Sequence, residues 1–234
     1  MAVRTVSAVV SWDVVRFPTI DSTNTWVLAR AREGAPEGLV AVADHQSVGR
    51  GRLGRVWEAP AGANLLMTVL LRPAEVSYRS LACVALAARE ASAAAAGVSA
   101  GLKWPNDLVV EGGSRKLAGV LAETDGAGAV AVGIGLNVAW APPGAAHLGI
   151  HVSRDGVLDA LLISLAGWLD RTPAEVASAY RAACVTLGQA VRVDLVDGES
   201  FEGMAADVDD AGRLLVEVNA CLRTVDVADV VHLR

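Results

Sequence analysis

Cysteine is scarce in this chain: three residues in 234, Cys83, Cys184 and Cys221, an odd number with no Cys-x-x-Cys pair. That argues against a disulfide framework and against a cysteine-built structural zinc site, and a reducing, cytoplasmic setting is the expectation. Net positive charge is missing too. With a formal balance of −6, no general field draws the protein to nucleic acid or to an anionic membrane, so neither DNA nor membrane is expected as a partner. No apolar run reaches the roughly 18 residues of a membrane helix, because Arg89 and Glu90 interrupt the most alanine-rich segment. The short apolar run after Arg4 ends at Trp12 and Asp13, a poor signal peptide. Aromatic residues make up only 4% against 53% hydrophobic residues, so alanine, valine and leucine must build the interior. His147, His151 and His232 lack metal-ligand spacing.

Against these absences stands one concentrated feature, GRGRLGRVW over residues 49–57, which sets Arg50, Arg52 and Arg55 among Gly49, Gly51 and Gly54. Glycine lets the main chain approach a ligand closely, and arginine offers planar, permanently charged donors that match phosphate and carboxylate oxygens. The segment reads as an anion clamp; the other reading is a solvated basic loop. GRGRLG also matches G-x-G-x-x-G formally, but that fingerprint opens a helix directly and carries an acidic residue about 20 positions on. Arg55-Val56-Trp57-Glu58-Ala59-Pro60 cannot start such a helix, and a dinucleotide fold is set aside.

The organisation is α+β. A strand over 12–17 precedes Asp21-Ser22-Thr23-Asn24, whose side chains suit a helix cap, and a helix follows through about Arg32. Strands are expected over 39–43 and 64–71 and a long alanine-rich helix over 78–96. Segments 102–104, 108–110, 117–124 and 130–138, separated by glycine-rich turns, predict consecutive hairpins of a mixed or antiparallel sheet. Helices return over 154–169 and 174–185. From Gln189 the texture changes to short valine-rich segments alternating with Asp-Gly-type turns, which predicts a small β barrel or sandwich. The expected division is residues 1–186 and 187–234.

Three further constellations carry chemistry. In KWPNDLVV, Pro105 rigidifies a turn that presents Lys103 on one side and Asn106 and Asp107 on the other. A lysine there can neutralise a phosphate or a developing negative charge, and an aspartate can orient an amine or accept its proton. An ordinary Asn-Asp turn beside a satisfied lysine is the other reading. RKLAGVLAET places Lys116 before a strand containing Gly119; VGIGLNV repeats the trait with Gly133 and Gly135 and then Asn137. Glycine inside a strand marks a bulge or the close approach of another group. Two such strands suggest a flat ligand lying on the backbone, or packing alone.

Preceded by Ser22-Thr23-Asn24, these blocks in this order resemble the biotin protein ligase family, the biotin–acetyl-CoA-carboxylase ligases, from about Ser22 to the end of the chain. The resemblance implies a class II synthetase-like catalytic domain, with a central mixed sheet flanked by helices, and a C-terminal SH3-like barrel. Many bacterial relatives carry an N-terminal helix-turn-helix domain; the short stretch before Ser22 leads to the expectation of a monofunctional type without it. The implied reaction has two steps: biotin and ATP form biotinyl-5′-AMP, and a lysine of a biotin carboxyl carrier protein of acetyl-CoA or a related carboxylase then takes the biotin. Mg²⁺ is the implied cofactor, held mainly by the phosphates.

Carried over residue by residue, the resemblance implies that Ser22, Thr23 and Gln46, with Asn24 alongside, hold the ureido ring. Gly49, Arg50, Gly51, Arg52 and Arg55 close over the ligand, and Trp57 covers it. Arg52, Lys103, Asp107 and Lys116 are the implied catalytic residues: cations for the phosphate and carboxylate oxygens, and Asp107 for the incoming amine, which is protonated in free solution. Asn106 contacts the nucleotide or intermediate, and Gly119, Gly133, Gly135 and Asn137 line the biotin and adenine side. The closing VVHLR brings Arg234 toward ATP. Leu53 departs from the polar or basic residue often present in relatives. The arginine loop is expected to be mobile when empty and to order around the adenylate. A lipoate-type ligase or acyltransferase is the nearest enzymatic rival, but octanoyl transfer needs a thiol and no cysteine lies in these blocks. A non-catalytic biotin sensor would not need Lys103, Asp107 and Lys116.

Overall fold

The computed structural model describes residues 11–196, 198–226 and 228–233. Strand β1 (Asp13–Phe17), helix α1 (Thr23–Arg32) and strand β2 (Leu39–Ala43) form a β-α-β unit, and β1 and β2 pair in parallel. The sheet then continues antiparallel through β3 (Leu65–Leu71), β7 (Val130–Leu136), β6 (Arg115–Thr124), β5 (Asp107–Val110) and β4 (Gly101–Lys103), in the order β1-β2-β3-β7-β6-β5-β4. This is the mixed sheet with consecutive hairpins that the glycine-rich turns imply.

The period-2 geometry of strands divides the apolar residues between two faces. Val40 and Val42 of β2, with Leu65, Met67, Val69 and Leu71 of β3, join the large core under α2 (Arg79–Ala96) and α3 (Arg154–Leu169). Leu39, Ala41 and Leu70 instead pack against Val27, Leu28 and Ala31 of α1. Thr68 shares that second face and interrupts an otherwise apolar strand, fully buried near the start of α1.

Helix ends follow the sequence signals with one exception. Thr172 and Glu175 close a capping box on α4 (Pro173–Ala183), with Pro173 in the first turn. Gly97, in the left-handed region at φ 67°, ends α2. At α1, Ser22 holds the N-cap position but its hydroxyl makes no capping bond. The side chain of Gln46, brought in by the loop after β2, accepts from the Thr23 N–H at 2.8 Å instead. The Ser22 hydroxyl is thereby left for the cavity described below.

The C-terminal SH3-like unit is a five-stranded antiparallel sheet of β8 (Ala190–Leu195), β9 (Ser200–Val208), β10 (Leu214–Val218), β11 (Cys221–Val225) and β12 (Ala228–His232), ordered β11-β10-β9-β8-β12. Its interior is continuous with the main core: Val191, Val193, Leu214, Val216 and Val230 belong to the same buried cluster as Leu102, Trp104, Leu108 and Tyr180. Trp104 is the rivet. Its backbone N–H donates to Thr186 Oγ1 at 3.0 Å and its indole N–H to the Gly212 carbonyl at 2.9 Å. Among the described residues, no helix is long and apolar enough to cross a membrane.

Trp104→Phe removes the donor to Gly212 and leaves a buried acceptor unpaired. A loss of about 1–3 kcal/mol is expected in urea unfolding, with the secondary structure unchanged by circular dichroism.

Candidate active site

A cavity of about 480 Å³ opens where several parts of the chain converge, among them the start of α1, the arginine loop, the 103–107 corner, the paired strands β6 and β7, and the start of β12. Its wall includes Ser22, Thr23, Asn24, Gln46, Arg50, Gly51, Arg52, Arg55, Trp57, Lys103, Asn106, Asp107, Lys116, Gly119, Gly133, Gly135 and Asn137. Two residues expected from sequence are not in it. Gly49 lies behind the loop, where an added Cβ would collide with the Trp57 carbonyl, and its own carbonyl accepts from the Trp57 N–H at 2.9 Å. Its part is to close the loop on itself. Arg234 lies outside the described residues.

One end of the cavity is a ladder of polar groups in an apolar setting. Gln46 Oε1 accepts from both the N–H and the hydroxyl of Thr23, at 2.8 and 3.0 Å. Thr68 Oγ1 lies 2.7 Å from Thr23 Oγ1 and 2.6 Å from Asn24 Oδ1. The Asn24 amide donates to the Leu121 carbonyl and to Glu123 Oε2. Asn24 is thus committed to the scaffold, and the Ser22 hydroxyl and the Gln46 amide nitrogen remain for a ligand. Gly133 makes this possible, since a Cβ there would enter Asn24 Oδ1.

The cations are arranged differently from a bare clamp. Arg50 pairs with Glu123 of β6 at 2.9 Å, and Arg55 pairs with Asp229 of β12. Lys116 Nζ stands 2.7 Å from Asp107 Oδ1. Arg52 has neutral partners, the Asn106 side-chain oxygen and the Ala228 carbonyl, each at 3.4 Å. Burial lowers the Arg52 pKa from its ordinary value, while Asp229 and Asp107 act to raise it. Lys103, opposite Asp107 in the β4–β5 register, has no side-chain hydrogen bond or ion pair among the described residues. Its charge is felt nearby: burial, and then Lys103, lower the pKa of His232. The backbone turn that shapes the loop uses Leu53 and Gly54 in left-handed conformations, at φ 54° and 72°.

The glycine shelf is filled by the protein itself. Gly119 and Gly135 face each other across β6 and β7, and the indole of Trp57 lies over them, so a Cβ at Gly135 would enter the ring. Lys116 Nζ sits 5.4 Å from the indole centroid, within cation–π range. The Trp57 indole N–H is buried with no acceptor among the described residues. The sequence suggests a flat ligand on these two strands or packing alone; the structure packs the Trp57 side chain there. Asn137 is also a scaffold residue: its amide donates to the Ala146 carbonyl at 2.9 Å and accepts from Asn64 at 3.1 Å. The pair pins the segment that carries Pro142 and Ala145 to the cavity wall.

Sequence reasoning missed Thr68, Glu123, Asn64 and Asp229. Thr68 had a readable signal, a lone hydroxyl in LLMTVLL. Glu123 and Asp229 had none, since each meets its arginine only through the fold. Among the described residues, no group of three His, Cys, Asp or Glu side chains converges to hold a metal.

The profile of the biotin/lipoate A/B protein ligase family matches residues 16–138, and that of the biotin protein ligase C terminal domain matches residues 186–233. The biotin–[acetyl-CoA-carboxylase] ligase of Mycobacterium tuberculosis is 40% identical over 233 residues, covering 91% of this chain and 86% of that protein. The protein of the same name from Paracoccus denitrificans is 36% identical over 240 residues, covering 90% and 96%. Among solved structures, the biotin protein ligase from Aquifex aeolicus in complex with biotin and ATP superposes with a TM-score of 0.80 at 24% identity, over 94% of this chain and 99% of that one. That likeness is one of fold.

Gly135→Ala is expected to push the Trp57 indole off its shelf. Acrylamide should then quench a larger share of tryptophan emission, and this increase should vanish when Trp57→Phe is added.

Proposed function

The chain belongs to the biotin/lipoate A/B protein ligase family, and from that premise we propose that it activates biotin with ATP and transfers it to a lysine of a carrier protein of acetyl-CoA carboxylase. The observation that carries this reading is a cavity joining two unlike ends. One end offers the Ser22 hydroxyl and the Gln46 amide to a polar ring; the other gathers Arg50, Arg52, Arg55, Lys103 and Lys116.

In the first step a biotin carboxylate oxygen attacks the α-phosphorus of ATP, an O–P bond forms, and the bond to pyrophosphate breaks. Two anions must approach each other, so the barrier falls only if fixed positive charge faces the phosphoryl oxygens in the transition state. Arg50 and Arg55 are already compensated by Glu123 and Asp229. Among the described residues Lys103 is the lining cation whose side chain has no hydrogen-bond or ion-pair partner, and it is assigned to the α-phosphate oxygens. Arg52 shapes the lid, and its weak neutral contacts are the ones most easily exchanged for a nucleotide. Lys116, shared between Asp107 and the indole face, is assigned to the biotin carboxylate. The buried Trp57 N–H gains an acceptor when an oxygen of the ligand arrives.

In the second step a neutral lysine amine attacks the acyl carbon, an N–C bond forms, AMP leaves, and the amine gives up a proton. Asp107, at the mouth of the hairpin corner, is assigned to orient the amine and receive that proton. Among the described residues no group of carboxylates forms a cage for a resident Mg²⁺, and the ion is assigned to the nucleotide phosphates as part of the substrate. A thiol-based acyl transfer has no candidate. Cys83 and Cys184 are buried outside the cavity, with Cys83 pushed up to about 11 by burial, and Cys221 lies exposed on β11. Three unpaired cysteines fit a reducing compartment, and the cytoplasm is the proposed location.

Wild-type protein with biotin, MgATP and a carrier domain should add the mass of one biotinyl group to the carrier, and to none whose acceptor lysine is replaced. Lys103→Met should lower biotin-dependent pyrophosphate exchange about 100-fold or more while biotin binding persists. Normal exchange in that variant would refute the assignment. Asp107→Asn, given preformed biotinyl-AMP, should transfer to the carrier at least about 10-fold more slowly than wild type in a single-turnover assay.

A further inference from the structure

We infer that Tyr78 and Tyr180 are positioning residues for the 103–107 corner, acting together through the carbonyl of Pro105. The inference rests on the reading of that corner as the adenylation site.

Tyr78 lies immediately before α2 and Tyr180 on α4, and their rings meet edge to face with centroids 5.2 Å apart. Both hydroxyls reach one atom: Tyr78 donates to the Pro105 carbonyl at 3.3 Å and Tyr180 at 3.4 Å. Among the described residues, no backbone N–H donates to that carbonyl. A carbonyl oxygen has two lone pairs, so the two phenols can satisfy an acceptor that the turn leaves open. Burial pushes both phenol pKa values up, with the neighbouring Tyr180 raising that of Tyr78 further, so both stay protonated.

Neither tyrosine borders the catalytic cavity. They line a groove on the far side of the corner, between the start of α2, α4 and the β9–β10 turn, together with Val176 and Val208. Apart from the electrostatic coupling of Tyr78 to Arg52 and of Tyr180 to Asp107, their influence on the reaction passes through the backbone. The route is short. Fixing the Pro105 oxygen fixes the plane of the peptide leading into Asn106. From the other side, Asn106 is held by its amide donating to the Val120 carbonyl at 2.8 Å and its carbonyl accepting from the Val120 N–H at 2.9 Å. The corner is thus gripped on two faces, and Lys103 and Asp107 leave it on paired strands. Phenylalanine would pack in either place. Only the hydroxyls account for the convergence on one oxygen.

The test compares the wild type with Tyr78→Phe, Tyr180→Phe, the double variant and Val176→Ala. Val176 is buried in the same groove but has no polar contact to lose. Biotin-dependent pyrophosphate exchange and the biotin Kd are measured at 25 °C, well below each variant's melting temperature. The double variant should lose about 10-fold or more in exchange kcat, because a displacement of the reacting groups by a fraction of an ångström is enough. Its biotin Kd should stay within about 2-fold, and Val176→Ala should exchange at close to the wild-type rate despite lower stability. Three outcomes overturn the inference: wild-type kcat in the double variant, parallel loss of biotin binding and exchange, or an equal loss in Val176→Ala. A wild type without any exchange would instead overturn the reading of the site, and the inference with it.

Discussion

Charge compensation inside the cavity is the constraint from which the rest of the structure follows. Five cations face one space, and three carboxylates, Glu123, Asp229 and Asp107, each hold one of them. These pairs are partly exposed, so each adds little to stability. Their effect is geometric. They keep like charges apart, hold the arginine loop against two different strands, and leave Lys103 as the lining cation whose side chain has neither a hydrogen bond nor an ion pair among the described residues. Arg52, with neutral partners only, lies between these two conditions.

The fold supplies the compensating acids from far along the chain. Glu123 comes from β6 and Asp229 from β12, so the loop at residues 49–57 is closed by the catalytic sheet on one side and the C-terminal sheet on the other. Trp104, tied to Thr186 and Gly212, fixes the distance between those two sheets. The small C-terminal unit is therefore a wall of the site, not an appendage. At the opposite end, Gln46 takes over the capping of α1, and the helix start, normally self-contained, opens toward the cavity.

The residues legible in the sequence were those whose type was unusual in its setting: arginines among glycines, a proline inside a lysine–aspartate corner, glycines inside strands. The β-α order and the hairpins were legible from the same punctuation. What filled the space beside a glycine was not. Gly119 and Gly135 suggested a flat ligand against the backbone or packing alone, and the group that lies there is the indole of Trp57, from the loop. Glu123 and Asp229 looked like ordinary exposed acids in alternating strands, because the identity of a partner across the fold depends on register and not on local pattern. Thr68 was visible as a lone hydroxyl, but its neighbours Thr23 and Asn24 could be known only once β3 and α1 were packed together.

The most direct test is a crystal structure with a non-hydrolysable biotinyl-adenylate analogue bound. Lys103 Nζ should lie within hydrogen-bonding distance of the oxygens that stand for the α-phosphate, with the Arg50–Glu123 and Arg55–Asp229 pairs intact. Lys103 turned to solvent, with Arg50 and Arg55 released from their carboxylates onto those oxygens, would contradict the account.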